Sequence, residues 1–427
     1  MEKEFNITGV CSPDKHYMAD INKKLASTLQ LVRKEKYFII NRPRQYGKTT
    51  MLNTMKSALL STNDYVVFNI SFEGVGDVFF KEEINFTSGF WDLLQDQAAI
   101  LYSDLVPFFE QKVSEISDMK SLSKVITALT LQSEKHVVLM IDEVDKSSNN
   151  QLFINFLGML RDKFLTRDET PTFQSVVLAG LHDIKTLKSR IRPEEEQKYN
   201  SPWNIASDYN VDLSFQVNEI IPMLEDYSSD RGVKMDFQNI AEQLFYFTSG
   251  YPFLVSKLCK MLDEDYEKHD VWTKEDIEIA VRKLVRESNA NFDSLTKNIE
   301  NNPDLYELVY DVAIDNNPFP FNIHNPTIKL GYLYGIFVDN KGVKIHNRIY
   351  NQVLTEYMTV KLLQQNLSRP NNNVPTYKNL NGTLNMELVM LGFQVFMKKE
   401  YSRKDRDFLE RNGRLVFLAF LKPIINL

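Results

Sequence analysis

The segment "FIINRPRQYGKTTML", residues 38–52, carries the strongest signal for the fold of this chain. An apolar run ends at Ile40, a short polar stretch containing Pro43 follows, and a helix-forming stretch begins at Gly47. Strand, tight loop and helix in this order, with Gly-Lys-Thr at the helix start, are typical of a phosphate-binding loop. The first glycine of that motif, expected five residues before Gly47, is replaced by Arg42.

The backbone of this loop explains the chemistry expected of it. Amide groups from Arg44 to Thr49 are expected to point inward at a helix N-terminus, where unpaired N–H donors and the helix dipole favour an anion. Lys48 would reach the β- and γ-phosphates of a nucleotide, and Thr49 would offer its hydroxyl to Mg2+. Pro43 restricts the backbone at the loop entry, so proline can set the turn in place of glycine. For this loop taken alone, the alternative is a chance Gly-Lys-Thr at an ordinary helix start.

A second segment supplies the acidic residues that such a loop requires. "HVVLMIDEVDK", residues 136–146, is an apolar strand that ends in Asp142 and Glu143. A magnesium site needs a carboxylate at the end of the neighbouring strand, and Asp142 is the candidate. Hydrolysis needs a base that orients water, and Glu143 is the candidate catalytic residue. Asp145 is a third carboxylate, better interpreted as solvated or as a helix cap.

Four short apolar runs alternate with helix-length segments between residues 35 and 215. The runs are "KYFII" (36–40), "YVVFNI" (65–70), "HVVLMI" (136–141) and "QSVVLA" (174–179). Continuous β-branched and aromatic runs are typical of buried parallel strands, and their alternation with helices predicts a doubly wound α/β domain. Right-handed crossovers would place the loops that follow the strands along one edge of the sheet, where ligands bind.

The fourth apolar run, "QSVVLA", is followed by polar groups. His182 is a candidate sensor of the γ-phosphate, and Arg190 and Arg192 are candidates to approach phosphate charge, in cis or from a neighbouring subunit. The alternative for His182 is a loop residue without a ligand. The alternative for each arginine is an ordinary surface cation.

The remainder of the chain is mostly helical. We predict an ATPase core over residues 1–215, a helical lid over 216–300, a small α+β domain over 301–365, a linker over 366–382 and a short tail over 383–427. In the small domain, residues 332–350 predict two short strands around "DNKG" and then a helix. That pattern is compatible with a winged-helix-like domain, and equally with a helical bundle that carries a hairpin.

Composition restricts the class of protein. The chain has 427 residues, of which 43% are hydrophobic, enough for about two to three domains with apolar cores. Its net charge of -7 argues against a globally basic nucleic-acid binder. Cys11 and Cys259 form no metal-binding spacing, which favours a reducing, cytoplasmic setting. No apolar run approaches the roughly 20 residues needed to cross a bilayer.

Together these motifs resemble the AAA-ATPase-like family, which is similar to the signal-transduction ATPases with numerous domains. The segments that carry the resemblance are "RPRQYGKTTML", "VVLMIDEVDK", "SPWNIASDYNVDL" and "TSGYPFLVSKLC". The resemblance implies a P-loop NTPase three-layer parallel sheet, a helical lid, and ATP and Mg2+ as ligands. Arg42 belongs to the family's own "RPR" pattern, and the element Gly250-Tyr251-Pro252 would lie near the nucleotide. Tyr17 and Asp20 would pack near its base.

The phosphate-loop motif and the resemblance together assign roles to the candidate residues of this site. The nucleotide-binding residues are Arg44, Gln45, Tyr46, Gly47, Lys48, Thr49, Thr50 and Pro252. The metal ligands are Thr49 and Asp142, and the catalytic residue is Glu143.

The tail resembles the beginning of a PD-(D/E)XK nuclease-like domain, which bacterial members of the family often carry. A nuclease of this type needs an Asp and a Glu-x-Lys pair on adjacent strands. Glu410 can match an early helix acid, but no further acidic residue follows it in the sequence. We therefore expect no nuclease activity from this chain.

The function predicted from the sequence is Mg-dependent ATP binding and hydrolysis, coupled to a conformational change in the helical half. The alternative is a nucleotide-binding regulatory or interaction module with little turnover. A weaker third interpretation is nucleic-acid processing through the tail. The expected partner is an unknown protein or a second copy of the chain, while nucleic acid stays open without support.

Overall fold

The structure of the chain, a computed structural model, describes residues 2–144, 151–180, 212–265, 270–313, 319–367, 383–400 and 417. It divides into two compact units, residues 1–291 with 330–336 and residues 292–329 with 337–427. None of the described helices combines the length and apolarity that a membrane crossing requires.

The four apolar runs form one parallel sheet in the first unit. Its strands are β1 (Phe38–Asn41), β2 (Tyr65–Ser71), β3 (His136–Asp142) and β4 (Ser175–Gly180). The strand order is β1-β4-β3-β2, and every neighbouring pair is parallel. The predicted α/β class with a parallel sheet is therefore confirmed. One detail is corrected: β4 lies between β1 and β3, so the strand that ends in Asp142 is not the neighbour of the strand that leads into the loop.

Helices cover both faces of this sheet. They are α1 (Asn22–Arg33), α2 (Lys48–Ser61), α3 (Glu83–Leu101), α4 (Val106–Lys112), α5 (Met119–Gln132) and α6 (Gln151–Leu165), with 3-10 turns at Asp77–Phe80 and Val113–Glu115. Val137, Leu139 and Ile141 of β3 belong to one apolar core with residues of α3 to α6. The intervening Val138 and Met140 are buried on the opposite face, and α2 contacts the sheet. Burial on both faces explains why the strands are apolar without alternation.

Strand β2 lies at the edge of the four described strands, and side chains at the end of α3 cover that edge. The Tyr102 hydroxyl accepts a hydrogen bond from the Val67 amide at 2.8 Å and donates to the Val67 carbonyl at 3.1 Å. The Gln97 amide pairs in the same way with the backbone N–H and C=O of Asn69. These contacts satisfy outward-facing backbone groups that would otherwise attract another strand.

The helical segment after the sheet also belongs to the first unit. Its helices are α7 (Val217–Arg231), α8 (Phe237–Thr248), α9 (Pro252–Asp265) and α10 (Lys274–Val285), and its short parallel strands are β5 (Lys234–Met235) and β6 (Val271–Trp272). Local sequence explains the helix ends. Gly232 takes a left-handed conformation after α7, and Thr273 forms a capping box with Asp276 at the start of α10.

The second unit contains most of the remaining elements. They are α11 (Ala290–Glu300), α12 (Pro303–Ala313), α13 (Pro326–Leu333), β7 (Phe337–Asp339), β8 (Val343–Ile345), α14 (Arg348–Leu367) and α15 (Met386–Glu400). Strands β7 and β8 pair antiparallel, and α14 follows them. The hairpin and helix predicted for residues 332–350 are therefore confirmed. Residues 368–382, and the tail beyond residue 400 apart from Phe417, lie outside the described residues.

A buried lysine lies between α5 and α6. Lys163 is 3% exposed, and its ammonium donates to the Ser123 carbonyl at 2.9 Å and to the Thr127 hydroxyl at 2.6 Å. Burial lowers the pKa of Lys163 to about 8, although the neighbouring Asp162 opposes this shift. The folded protein therefore holds the proton of Lys163 less tightly than the unfolded chain does.

This pKa shift predicts a pH dependence of stability. Between about pH 8 and pH 10.5 the unfolded state binds more protons at Lys163, so the free energy of unfolding should rise with pH. The expected gain is on the order of 1–3 kcal/mol. Urea unfolding at several pH values should show this rise in the wild type and a flatter profile in Lys163→Met. Equal slopes in the two proteins would contradict the prediction.

Candidate functional site

The loop between β1 and α2 has the backbone that its sequence requires. Gly47 caps α2 with a φ of 78°, a left-handed conformation in which glycine carries no steric penalty. Gln45 also has a positive φ, 56°, which is uncommon for a residue with a side chain. The Arg42 amide donates to the Gly180 carbonyl at the end of β4, at 3.2 Å. The loop is thus tied to the sheet at its first residue.

Arg42 takes the place of the motif's first glycine, and its backbone conformation is one that a residue with a side chain can adopt. Arg42 is absent from the residues with positive φ, so this position does not need glycine. Its buried guanidinium donates to the Tyr332 hydroxyl at 3.4 Å and lies 3.8 Å from the Asp212 carboxylate. Pro43 packs so closely against Gly335 that a Cβ there would lie 2.5 Å from the proline ring. Neighbouring residues therefore support the loop entry.

The loop opens into a cavity of about 720 Å³. This volume falls in the range typical of small-molecule sites. Every loop residue from Arg44 to Thr50 lines it, together with Glu143 and Pro252. Residues of the N-terminal segment and of the part after the sheet also line it, including Ile7, Met18, Phe215 and Phe253. The predicted nucleotide-binding residues and the predicted base therefore lie around one cavity.

Lys48 is held inside the loop. Its ammonium is buried and donates to the carbonyl of Arg42 at 2.9 Å and to that of Pro43 at 3.0 Å. Both acceptors belong to the loop itself. The Lys48 ammonium therefore lies in the loop that lines the cavity. The backbone amides of such a loop are where an anion would be bound.

Thr49 and Asp142 come together although β1, the strand that leads into the loop, is not a neighbour of β3. The Thr49 hydroxyl donates to Asp142 Oδ2 at 2.6 Å, because α2 contacts β3 as well as β4. The other oxygen, Asp142 Oδ1, accepts the Glu143 amide at 2.9 Å. Hydroxyl and carboxylate oxygens are the hard ligands that Mg2+ prefers, so this pair suits a magnesium ion.

Glu143 lies on the cavity wall in an unusual backbone conformation. Its φ is 53°, in the left-handed region that residues with a side chain seldom adopt. Such conformations cost free energy and are enriched at functional sites. The hydrogen bond from its amide to Asp142 helps to hold this conformation.

A second glutamate, missed by the sequence reasoning, lines the same cavity. Glu73 follows β2, in which Ser71 pairs in register with Asp142 of β3. Two parallel strands therefore deliver Glu73 and Glu143 at the same edge of the sheet. The strand-end argument that selected Asp142 and Glu143 applies equally to "FNISFE", and it would have found Glu73.

Of the two N-terminal residues expected near a nucleotide base, Tyr17 lines the cavity and Asp20 does not. Tyr17 is buried, lines the cavity and donates its hydroxyl to Asp230 at 2.6 Å. Burial and the hydrogen bond to Asp230 raise the pKa of Tyr17 far above its ordinary value. Asp20 is exposed and does not line the cavity.

Three predicted site residues lie in a part of the chain that the structure does not describe. His182, Arg190 and Arg192 lie outside the described residues, and so does Asp145. Their predicted roles stay predictions.

Comparison with protein families identifies the chain. Residues 14–356 match the model of the AAA-like domain. The chain belongs to the AAA-like domain family. The family resemblance predicted from the sequence is therefore confirmed over most of the chain. The match ends before the tail, and it lends no support to a nuclease-like C-terminal domain.

Several solved structures are similar to this family member. The Walker-type ATPase PABY2304 of Pyrococcus abyssi has a TM-score of 0.56 and 11% identity, over 82% of this chain and 99% of that one. Aeropyrum pernix ORC2 has a TM-score of 0.43 and 11% identity, over 84% and 98%. Thermotoga maritima RuvB has a TM-score of 0.38 and 15% identity, over 84% and 99%. The likeness to the Pyrococcus protein shows a shared fold.

One curated relative is an uncharacterized WD repeat-containing protein of Synechocystis. It is 22% identical over 170 residues, which make up 39% of this chain. The chain covers only 13% of the length of that relative.

Proposed function

We propose that this protein binds ATP with Mg2+ at residues 44–50 and hydrolyses it. The observation that carries the proposal is the hydrogen bond of 2.6 Å between Thr49 and Asp142, next to a buried Lys48 and on the rim of a cavity of about 720 Å³. Lys48, Thr49 and Glu143 line this cavity, and Asp142 contacts it through Thr49. A lysine, a hydroxyl, a carboxylate and a glutamate form the set that phosphoryl transfer from ATP to water requires.

Each of these side chains has a defined task in the proposal. Thr49 and Asp142 would hold Mg2+, which neutralises phosphate charge when it is bound. Lys48 exchanges the carbonyls of Arg42 and Pro43 for the β- and γ-phosphate oxygens. Glu143 orients a water molecule and accepts its proton as the water attacks the γ-phosphorus, while the bond from that phosphorus to the β–γ bridging oxygen breaks and ADP leaves with the bonding electron pair. Backbone amides of the loop stabilise the charge that develops on the phosphoryl oxygens.

The helical segment is the part that would respond to the nucleotide. Phe215, Met223, Pro252, Phe253 and Ser256 line the cavity from this segment. A ligand that contacts both the loop and these residues would have a different affinity for each position of the helices relative to the loop. We therefore propose that hydrolysis is coupled to a movement of residues 216–300, as a lid.

Replacing Asp142 by asparagine tests the magnesium part of the proposal. We expect Asp142→Asn to weaken ATP binding about tenfold or more in the presence of Mg2+, because hydrogen bonds and metal contacts of a charged carboxylate are lost. With excess EDTA, wild type and variant should bind ATP alike. Calorimetric titration measures both affinities.

A matched control is Asp104→Asn, which removes the same charge from an exposed position. This control should bind Mg2+-ATP like the wild type. If Asp142→Asn also binds it like the wild type, the assignment of Asp142 to the metal is wrong.

A further inference from the structure

Two buried residues from outside the loop form hydrogen bonds with consecutive loop residues. Tyr251 immediately precedes α9 and is 1% exposed, and its hydroxyl donates to the Arg44 carbonyl at 2.6 Å. Asn291, near the start of α11, is also buried and donates from Nδ2 to Gln45 Oε1 at 2.9 Å. The two partners lie 207 and 246 residues further along the chain than the loop residues they contact.

The two contacts are joined into one network. Asn291 Nδ2 also lies 3.4 Å from the Tyr251 hydroxyl, which can accept its second hydrogen while donating to Arg44. Asn291 and Tyr251 therefore connect the side chain of Gln45 with the backbone carbonyl of Arg44. Gln45 is the residue with the left-handed φ of 56°, so the network meets the loop at a conformation that needs support.

The position of Tyr251 is itself restricted by its surroundings. The preceding Gly250 has a φ of 73°, and a Cβ there would lie 1.9 Å from the Phe215 carbonyl oxygen. The Phe215 amide donates to the Gly250 carbonyl at 2.7 Å. The Tyr251 ring meets the Tyr46 ring edge-on at 4.5 Å, and the Tyr46 hydroxyl lies 2.7 Å from Ser214 Oγ. Backbone and ring contacts thus aim the Tyr251 hydroxyl at the loop.

We propose that Tyr251 and Asn291 are positioning residues that hold the phosphate loop in its binding conformation and link it to the helical segment. This inference rests on the proposed function. Binding a phosphate chain requires Lys48 to leave two loop carbonyls, and the loop loses those contacts at that moment. The network from Tyr251 and Asn291 is independent of Lys48 and preserves the loop geometry during the exchange.

The same network makes the coupling reciprocal. Tyr251 leads directly into α9, and Asn291 is the second residue of α11. A movement of Tyr251 or Asn291 changes the contacts of Arg44 and Gln45, and a loop that is held by phosphate favours one position of the start of α9. By linkage, if nucleotide changes the affinity of a partner for these helices by some factor, that partner changes the affinity for nucleotide by the same factor.

Tyr251→Phe tests the proposal with the removal of a single hydroxyl. The ring and its contact with Tyr46 are kept. We expect the Kd for Mg2+-ATP, measured by calorimetry on the full chain, to rise about three- to tenfold, the range for loss of one buried hydrogen bond. Asn291→Ala should have a similar effect. In the double variant the loss of binding free energy should be smaller than the sum of the two single losses, because both residues belong to one network.

Tyr227→Phe is the matched control. Tyr227 is also a buried tyrosine of the helical segment, its hydroxyl donates to Asp263 at 2.9 Å, and it does not line the cavity. Its variant should lose thermal stability without a change in Kd. A Tyr251→Phe protein that behaves in the same way, with lower stability and the wild-type Kd, would overturn the inference.

Lys48→Ala, titrated beside these variants, separates the two hypotheses. Weaker binding by Lys48→Ala together with wild-type binding by Tyr251→Phe would reject the positioning role and leave the proposed function intact. Wild-type binding by Lys48→Ala would reject the proposed function itself.

Discussion

Replacing Glu143 by glutamine is expected to slow ATP turnover by about 10²–10⁴-fold, the usual contribution of a general base, while ATP stays bound. Glutamine matches glutamate in size but cannot accept the proton of an attacking water. Glu143 lines the cavity beside Lys48 and Thr49, and its φ of 53° is held by the hydrogen bond from its amide to Asp142. That bond comes from the backbone, so the variant keeps the local geometry.

Phosphate release by the purified protein, with and without DNA, measures the rate, and calorimetry confirms that ATP is still bound. Glu73→Gln is the matched control, because Glu73 lines the same cavity from the neighbouring strand β2. A larger loss of turnover in Glu73→Gln would transfer the role of base to Glu73. Turnover at the wild-type rate in both variants would exclude both glutamates as the base, and a low rate shared by all three proteins would favour the regulatory module with little turnover.

Replacing Lys48 by alanine is expected to weaken Mg2+-ATP binding about tenfold or more, since a hydrogen bond to a charged group contributes about 1.5–3 kcal/mol. The wild-type ammonium is buried with the Arg42 and Pro43 carbonyls as partners, within the loop that lines the cavity. Alanine removes the buried ammonium that the proposal assigns to the phosphate chain.

Titration with Mg2+-ATP measures this effect, and Lys56→Ala provides the control. Lys56 belongs to the same helix, α2, but does not line the cavity. Its variant loses the same charge and should retain the wild-type affinity. If Lys48→Ala and Lys56→Ala bind ATP equally well, the loop is not a phosphate site.

Local sequence was sufficient for the elements of the sheet and for most of the cavity's candidate residues. The four β-branched and aromatic runs became strands because they are buried on both faces, and Gly47 caps α2 because its left-handed φ suits glycine. Asp142 and Glu143 were found because polar residues that end a buried strand lie at the edge where ligands bind. The hairpin before α14 followed from "DNKG" between short apolar runs.

The strand order is decided by packing between segments that are distant in sequence. The sequence led us to expect the strand of Asp142 next to the strand of the loop, yet β4 lies between them. Strand periodicity is the same in either arrangement, so no local pattern distinguishes them. The packing of α2 against the sheet, including β3, brings Thr49 to Asp142.

The sequence by itself therefore determined the fold class, the phosphate-loop motif and its acidic partners, because these depend on residue type and short spacing. Tertiary structure alone decided how Arg42 is accommodated without glycine, that Glu73 shares the cavity, and that Tyr251 and Asn291 contact Arg44 and Gln45. The contacts of Tyr251 and Asn291 join groups that lie 207 and 246 residues apart in the chain. Such contacts leave no periodic or local signal in a single sequence, because they arise only when the packed elements bring the partners within hydrogen-bonding distance.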